Sequence, residues 1–189
     1  MRKKLFDIVG ASLLLLLAAP FMVLIGLWVK ATSRGPVIFR QVRIGYAGKP
    51  FVILKFRTLQ HRSGRTADQV LPGDVRVTRP GRFLRKTHLD ELPQLFNVLM
   101  GDMSLVGPRP LTESSFMRLF RESPATLQGL LMRPGLTGLA QVRGRLWRLR
   151  RGAPGILRLE AFYMSHGCLW LDLRILARTV ETVVRGRGI

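Results

Sequence analysis

Asp90 and Glu91 are the only adjacent pair among the 11 acidic residues of this chain. They stand in RFLRKTHLDELPQLFN, with Arg82, Arg85 and Lys86 just ahead of them. Carboxylates beside several cations are held ionised, which suits a nucleophile or a metal ligand. A helix beginning near Leu89 would add free backbone N–H groups able to receive a phosphate. The plain alternative is a helix start whose acids offset the positive dipole end, without any chemistry. A lone Asp-Glu pair favours that alternative, and the surrounding pattern moves the balance. Lys55-Phe56-Arg57 closes an expected strand, and Ser104–Pro110 presents Arg109 on a proline-stiffened loop. Arg133–Val142 offers a glycine-rich backbone with Thr137 and Gln141. Fixed cations, one acid pair and close-approach glycines fit the handling of a diphosphate, where catalysis is mostly positioning and charge stabilisation.

Other chemistries are excluded by what is missing. There is no GxxxxGK[ST] phosphate loop and no GxSxG nucleophile elbow. Cys168, the single cysteine, stands in no motif, so a disulfide scaffold and a zinc ribbon are both ruled out. His88 reads as a spacer or minor contact, and His61 and His166 lack metal-ligand spacing.

The elements that must position these groups follow from periodicity. Val37–Ile44 and Phe51–Leu59, around the turn Gly45–Gly48, predict a β-hairpin. His61–Asp74 predicts a loop. Helical spacing covers Arg82–Lys86 and Glu91–Leu99, interrupted near Pro93, which suits a first helical turn. Glu113–Arg121 and Ile156–Met164 predict helices, and Arg133–Gly138 a turn entering a short strand. Leu169–Arg185 is amphipathic: Leu169, Leu173, Leu176, Val180 and Val183 form one face, which Asp172, Arg174, Arg178, Glu181 and Arg185 avoid. That face suits either core packing or, with Trp170 and the basic side, a membrane interface.

The 22 residues Ile8–Val29 carry no charge. As a straight helix they would reach about 33 Å, enough to span a hydrocarbon core of about 30 Å. Pro20 divides them into arms too short to cross alone, and both flanks are basic: Arg2, Lys3 and Lys4 before, Lys30, Arg34, Arg40 and Arg43 after. Basic flanks pull both ends to the cytoplasm. A re-entrant segment satisfies these facts, and a Pro-kinked spanning helix remains the alternative. A cleaved signal peptide is disfavoured by the long apolar run and by the poor site Lys30–Arg34.

At 189 residues the chain has room for little more than one domain. It carries 31 Lys and Arg, a formal charge of +20, 47% hydrophobic residues and a mean hydropathy of +0.17. A disordered basic tail would be poor in apolar residues, and an ordinary soluble enzyme would not be this basic. The combination fits a protein held against an anionic surface, either lipid headgroups or nucleic acid. The run Arg143–Arg151, with Arg145, Arg148 and Arg150 interleaved with Leu146, Trp147 and Leu149, fits both surfaces. The apolar N-terminus favours the membrane.

The sequence resembles the bacterial sugar transferases, the small monotopic phosphoglycosyl transferases that act on polyprenyl phosphate. The matching stretches are KKLFDIVGASLLLLLAAP, GPVIFRQVRIGYAGKPFVILKFRTL, TRPGRFLRKTHLDELPQLFNVLMGDMSLVGPRPL, RPGLTGLAQVRGR and LWLDLRILARTV, in that order. The resemblance implies an α+β, mostly helical fold. A re-entrant membrane helix (1–34) would precede a compact cytoplasmic catalytic domain (35–189) with a β-hairpin and interfacial amphipathic helices. It implies transfer of a phosphosugar from a UDP-sugar to undecaprenyl phosphate with release of UMP, at the cytoplasmic face of the bacterial inner membrane. The implied mechanism is ping-pong through an aspartyl-phosphosugar, as the first membrane step of a surface glycan pathway. Asp90 would be the nucleophile and Glu91 a metal ligand or activator, with Mg2+ as cofactor held by Asp90 and Glu91. Lys55, Arg57, Arg85, Arg109, Thr137 and Gln141 would bind substrate phosphates, and Glu160 would be an accessory acid. The expected partners are the UDP-sugar, polyprenyl phosphate, anionic lipids and downstream glycosyltransferases, with a homodimer left open and nucleic acid not expected. The chain departs from the family pattern at Ala19-Pro20, often Ser-Pro, at Leu146, often Asn, and at Glu160, usually Asp. An inactive basic scaffold and an RNA-binding membrane protein are the competing readings.

Overall fold

A computed structural model describes residues 2–60, 74–122, 131–143 and 145–185. Mostly helical, it carries one antiparallel β-hairpin, in agreement with the sequence expectation. Helix α1 runs over Arg2–Thr32. The hairpin joins β1 (Ile38–Ile44) to β2 (Pro50–Phe56), with Arg43 opposite Phe51 and Gln41 opposite Ile53. Its connection is a 3-10 turn, Tyr46–Gly48, in which Ala47 is left-handed at φ 55°. Helix α2 (Arg79–Thr87), a 3-10 turn (Leu89–Glu91) and α3 (Gln94–Met100) follow. Then come β3 (Ser104–Val106), α4 (Glu113–Glu122), β4 (Gly135–Thr137), α5 (Leu139–Val142), α6 (Arg145–His166) and α7 (Leu169–Val184).

The sequence places a strand near β4 but not its partner. β3 and β4 pair in parallel, Ser104 opposite Gly135 and Val106 opposite Thr137. Gly135 makes this approach possible, because a Cβ there would stand 2.0 Å from Gly107 N. The pairing therefore fixes the start of the Gly107–Pro110 loop that carries Arg109. α6 begins well before the expected Ile156 and bends at Gly152, where φ is 59°. The expected 61–74 loop, His61 included, falls outside the described residues apart from Asp74. So do Gly144 and the side chains of 145–151, and with them the Arg-rich stretch.

Helix α1 continues through Pro20. Its 31 residues make about 46 Å of helix. One stripe along it is covered: Ala11 is buried in a core with Leu95, Val98 and Leu105, and Phe6 and Leu15 pack against that core. Farther along, Ile25 and Val29 are buried with Phe56 and Leu84, and Met22 packs there too. The outward side keeps its apolar residues exposed, Leu16 at 74% and Leu17 at 69% among them. Among the described residues α1 is the one helix long and apolar enough to cross a membrane.

Buried polar groups register α1 on the rest of the chain. Asp7 accepts hydrogen bonds from Ser104 Oγ at 2.8 Å and from Leu105 N at 3.0 Å. Lys3 Nζ donates to Asp172 Oδ2 at 2.7 Å, and Tyr163 OH donates to Asp172 Oδ1 at 2.6 Å. Asp172 is 1% exposed, which corrects the amphipathic reading of α7. The inward face is Asp172 and Ile175, whereas Leu173 and Val180 are 47% and 63% exposed. A fully paired carboxylate is as acceptable inside as an aliphatic side chain, and pattern alone does not reveal the pairing. The exposed face of α7 then presents Leu173, Val180 and Trp170, with the Arg174 guanidinium 5.0 Å from the Trp170 ring centroid.

Candidate active site

Thr78 starts α2 by accepting a hydrogen bond from Gly81 N at 3.1 Å, with Pro80 in the first turn. His88 ends it in the left-handed region at φ 58°. That conformation is uncommon outside glycine, although histidine is among the residues that tolerate it. The reversal leads into Leu89–Glu91, so the acids lie on a three-residue 3-10 turn and not in the first turn of a helix beginning near Leu89. An N-terminal helix dipole therefore adds no phosphate site there.

Helix α3, which follows the turn, is seated against the hairpin by Asn97. This residue is fully buried: its Oδ1 accepts from Leu54 N at 3.1 Å and its Nδ2 donates to Val52 O at 2.8 Å. Alternation along β2 puts Ile53 and Lys55 on one face, and the register puts Arg43 of β1 on that face too. Lys55 Nζ meets Glu91 Oε1 at 2.5 Å, and both side chains are less than a fifth exposed. Arg43 is held by Gln41 Oε1 at 2.7 Å and by Pro110 O at 3.5 Å.

Lys55, Glu91 and Arg43 border a cleft with room for about one water, about 10 Å3, lined also by Ile53, Gln94, Arg109, Pro110, Gly135, Leu136 and Gln141. A second crevice, too narrow to hold a water, is lined by Gly107, Pro108, Leu139, Ala140, Gln141, Glu160 and Tyr163. Gln141 borders both. Glu160 Oε1 accepts from the Arg109 backbone N–H at 3.4 Å. Burial pushes the Glu160 carboxyl above its ordinary range, against the pull of Arg109.

Two sequence candidates are placed elsewhere. The Arg57 guanidinium donates to Ser33 O at 2.7 Å, to Ser33 Oγ at 2.8 Å and to Pro36 O, tying β2 to the end of α1. Thr137 Oγ1 pairs with Thr179 Oγ1 at 2.7 Å and joins β4 to α7. Neither lines the cleft. Arg85 lies outside the cleft wall, but its charge is felt by Asp90. Sequence reasoning missed Arg43, Gln94 and Asn97. Strand alternation marks Arg43, which has the parity of Lys55 across the hairpin. Gln94 has only its spacing of four from Asp90 as a signal.

The two acids diverge electrostatically. Burial, then repulsion from Glu91, pushes Asp90 up to about 6, and Lys55 and Arg85 counter only part of this. Glu91 is also penalised by burial, but Lys55, Arg109 and His88 outweigh that and bring it down to about 2. Cations hold Glu91 ionised, whereas at Asp90 burial and Glu91 outweigh Lys55 and Arg85. At neutral pH Asp90 is mostly ionised yet more basic than an ordinary aspartate.

The cleft wall holds one cation-paired carboxylate, Glu91, with Lys55, Arg43 and Arg109 around it, and Asp90 adjoins it in the chain without lining that wall. The comparisons with known proteins say which class of protein carries it. The family model described as "Bacterial sugar transferase" matches residues 1–186, and the chain belongs to that family; it is a transferase. It is 45% identical to the UDP-glucose:undecaprenyl-phosphate glucose-1-phosphate transferase of Caulobacter vibrioides, over 97% of this chain and 70% of that protein. It is 40% identical to the uncharacterized sugar transferase EpsL of Bacillus subtilis, over 99% of this chain and 89% of the relative. With the undecaprenyl-phosphate galactose phosphotransferase of Salmonella typhimurium the identity is 38%, over 98% of this chain but only 41% of the relative.

Proposed function

We propose that this chain transfers a sugar phosphate from a UDP-sugar to undecaprenyl phosphate, in two steps through Asp90. An Asp90 carboxylate oxygen attacks the phosphorus that bears the sugar. The bond from that phosphorus to the bridging oxygen breaks, and its electron pair leaves with UMP. The undecaprenyl phosphate oxygen then attacks the same phosphorus, Asp90 departs as carboxylate, and the lipid diphosphate sugar forms. The observation that carries this reading is the charged cleft beside Asp90: Glu91 is paired with Lys55 at 2.5 Å, and Arg43 and Arg109 stand on the same wall. A nucleophile gains from a raised pKa as long as it stays ionised at the working pH.

Arg109, Arg43 and Lys55 receive the diphosphate oxygens, Arg85 adds positive charge near Asp90, and Gln141 contributes a neutral contact. Glu160 braces the Arg109 loop through the backbone. Among the described residues no cluster of three or more His, Cys, Asp or Glu forms. Magnesium needs only one or two carboxylates when substrate phosphates complete its shell, and the Asp90–Glu91 pair is such a donor set. Held there, Mg2+ would neutralise the diphosphate charge.

The way α1 is held supports a monotopic membrane arrangement. Both of its halves pack on the same body, Ala11 against Leu105 and Val29 against Leu84 and Phe56. A helix standing across a bilayer could not keep both halves against a body outside it. On this reading residues 1–34, one helix continuing through Pro20, enter one leaflet of the bacterial inner membrane without crossing it, both ends on the cytoplasmic side. Residues 35–189 form the cytoplasmic catalytic part, with Trp170, Leu173 and Arg174 of α7 at an interface of anionic lipids. In a Cys168→Ser background, a cysteine at position 2 stays protected from a membrane-impermeant thiol reagent in intact cells and reacts after lysis. Labelling from outside, with the C-terminus cytoplasmic, would refute the arrangement.

The reaction is tested by UMP release from a panel of UDP-sugars with undecaprenyl phosphate. One sugar nucleotide is turned over, and Arg109→Ala lowers kcat/KM by about 10²–10³, the scale of losing one preorganised donor, while Arg85→Ala, which removes only a charge felt by Asp90, costs less. Lysine at position 109 rescues only in part, because an ammonium lacks the guanidinium fork, whereas lysine at position 85 keeps the charge and rescues more fully. A non-catalytic scaffold would release no UMP from any sugar nucleotide.

A further inference from the structure

Two buried side-chain amides lie three residues apart on α3, and the fold treats them differently. Asn97 is saturated by Leu54 N and Val52 O. Gln94 is 2% exposed, yet its Nε2 has no hydrogen-bond partner among the described residues. Buried polar groups are nearly always paired, so an orphan at a cleft wall points to a ligand that completes it. Gln94 borders the same cleft as Lys55, Glu91 and Arg109, four positions after Asp90 and three after Glu91. Glu91, the chain neighbour of Asp90, lines the same cleft, so a phosphoryl group held there lies on the wall where the buried Gln94 amide has an open donor.

We propose that Gln94 donates a hydrogen bond to a non-bridging oxygen of the phosphoryl group that Asp90 takes up. This rests on the transferase reading above. The cleft already holds three cations, Arg43, Lys55 and Arg109, so a further charge is not what the amide adds. A short, rigidly seated neutral donor adds direction, and its contact strengthens as charge shifts onto the equatorial oxygens in the transition state. The effect therefore falls on kcat more than on KM.

The test uses the full chain in detergent or native membranes, with the sugar nucleotide the wild type turns over. Gln94→Met keeps the side-chain volume and removes the amide. It is expected to lower kcat by about 10²-fold with KM within about threefold, while Tm stays equal or rises because an unpaired buried donor is gone. Gln94→Glu keeps the shape and an oxygen but has no donor at neutral pH, and it is expected to be no more active than the Met variant. Wild-type turnover in either variant overturns the contact, and so does a fall in Tm in Gln94→Met, which would make the residue structural. Failure of the wild type itself to release UMP from any UDP-sugar overturns the transferase reading and this contact with it. Wild-type activity together with an unaffected Gln94→Met overturns the contact alone.

Discussion

Asp90→Asn is expected to release no UMP from a UDP-sugar, with or without the lipid acceptor, and to show no covalent adduct by intact mass. The wild type, given UDP-sugar without acceptor, releases at most one equivalent of UMP and gains the mass of one sugar phosphate on Asp90. Initial rates with both substrates give parallel double-reciprocal lines, because UMP leaves before the lipid phosphate enters. Multi-turnover activity in Asp90→Asn, or intersecting lines, would refute the covalent role. The raised pKa adds two further readouts. Activity must fall as pH drops through about 6, where Asp90 protonates, and not near 4 as for an ordinary aspartate. Stability changes in the same window. The folded chain binds the Asp90 proton more tightly than the unfolded chain, so raising pH from 3.8 to about 6 costs folding free energy. The Tm of Asp90→Asn minus that of the wild type should therefore increase between pH 4 and pH 7 and stay level above.

Much of this site was legible in the chain because the chemistry-bearing residues are unusual for it. In so basic a sequence, one adjacent acid pair draws attention on composition alone, and alternation and proline placement locate Lys55 and Arg109. Parts of the fold were legible for the same local reasons. The hairpin, α2, α3 and α4 follow from periodicity within a dozen residues. What stayed hidden depends on contacts between distant residues. Asp7 and Asp172 look like surface acids, yet Ser104, Leu105, Lys3 and Tyr163 make them interior groups. That pairing turned the inward face of α7 away from the one its aliphatic spacing suggests. Arg57, two residues from Lys55 and of the right chemistry, looks like a phosphate ligand until Ser33 and Pro36 are seen to occupy its guanidinium. Asp90 itself was found for a reason the structure reverses in part: burial and Glu91 set its proton affinity more than the cations do. Burial is a property of the folded arrangement and leaves no mark on a six-residue window.

The Lys55–Glu91 pair gives the second large effect. Lys55→Met keeps most of the aliphatic stem that packs along β2 and removes the ammonium 2.5 Å from Glu91 Oε1. Breaking a mostly buried pair on one side leaves the other charge uncompensated, at a cost of about 3 kcal/mol or more. The pH dependence follows from Glu91. Its folded pKa, about 2, lies below its ordinary 4.5, so its contribution to stability is complete above about 4.5 and is lost as pH falls toward 2. The Tm deficit of Lys55→Met should thus be largest at neutral pH and shrink below about 4.5. Activity responds through Asp90 as well. Lys55 lowers the Asp90 pKa, so its removal lets burial and Glu91 push Asp90 higher still. The acid limb of the rate profile should move from about 6 toward neutrality, on top of a loss of about 10²–10³ in kcat/KM from the missing cation. Glu91→Gln should move that limb the other way, since the repulsion that raises Asp90 is gone. Both profiles can be recorded by UMP release between pH 5 and 9 (an assay range chosen to be about two units wide on either side of neutrality). Limbs that coincide with the wild type in both variants would show that the pair does not set the proton affinity of Asp90. The function of Glu91 would then have to be sought in binding alone.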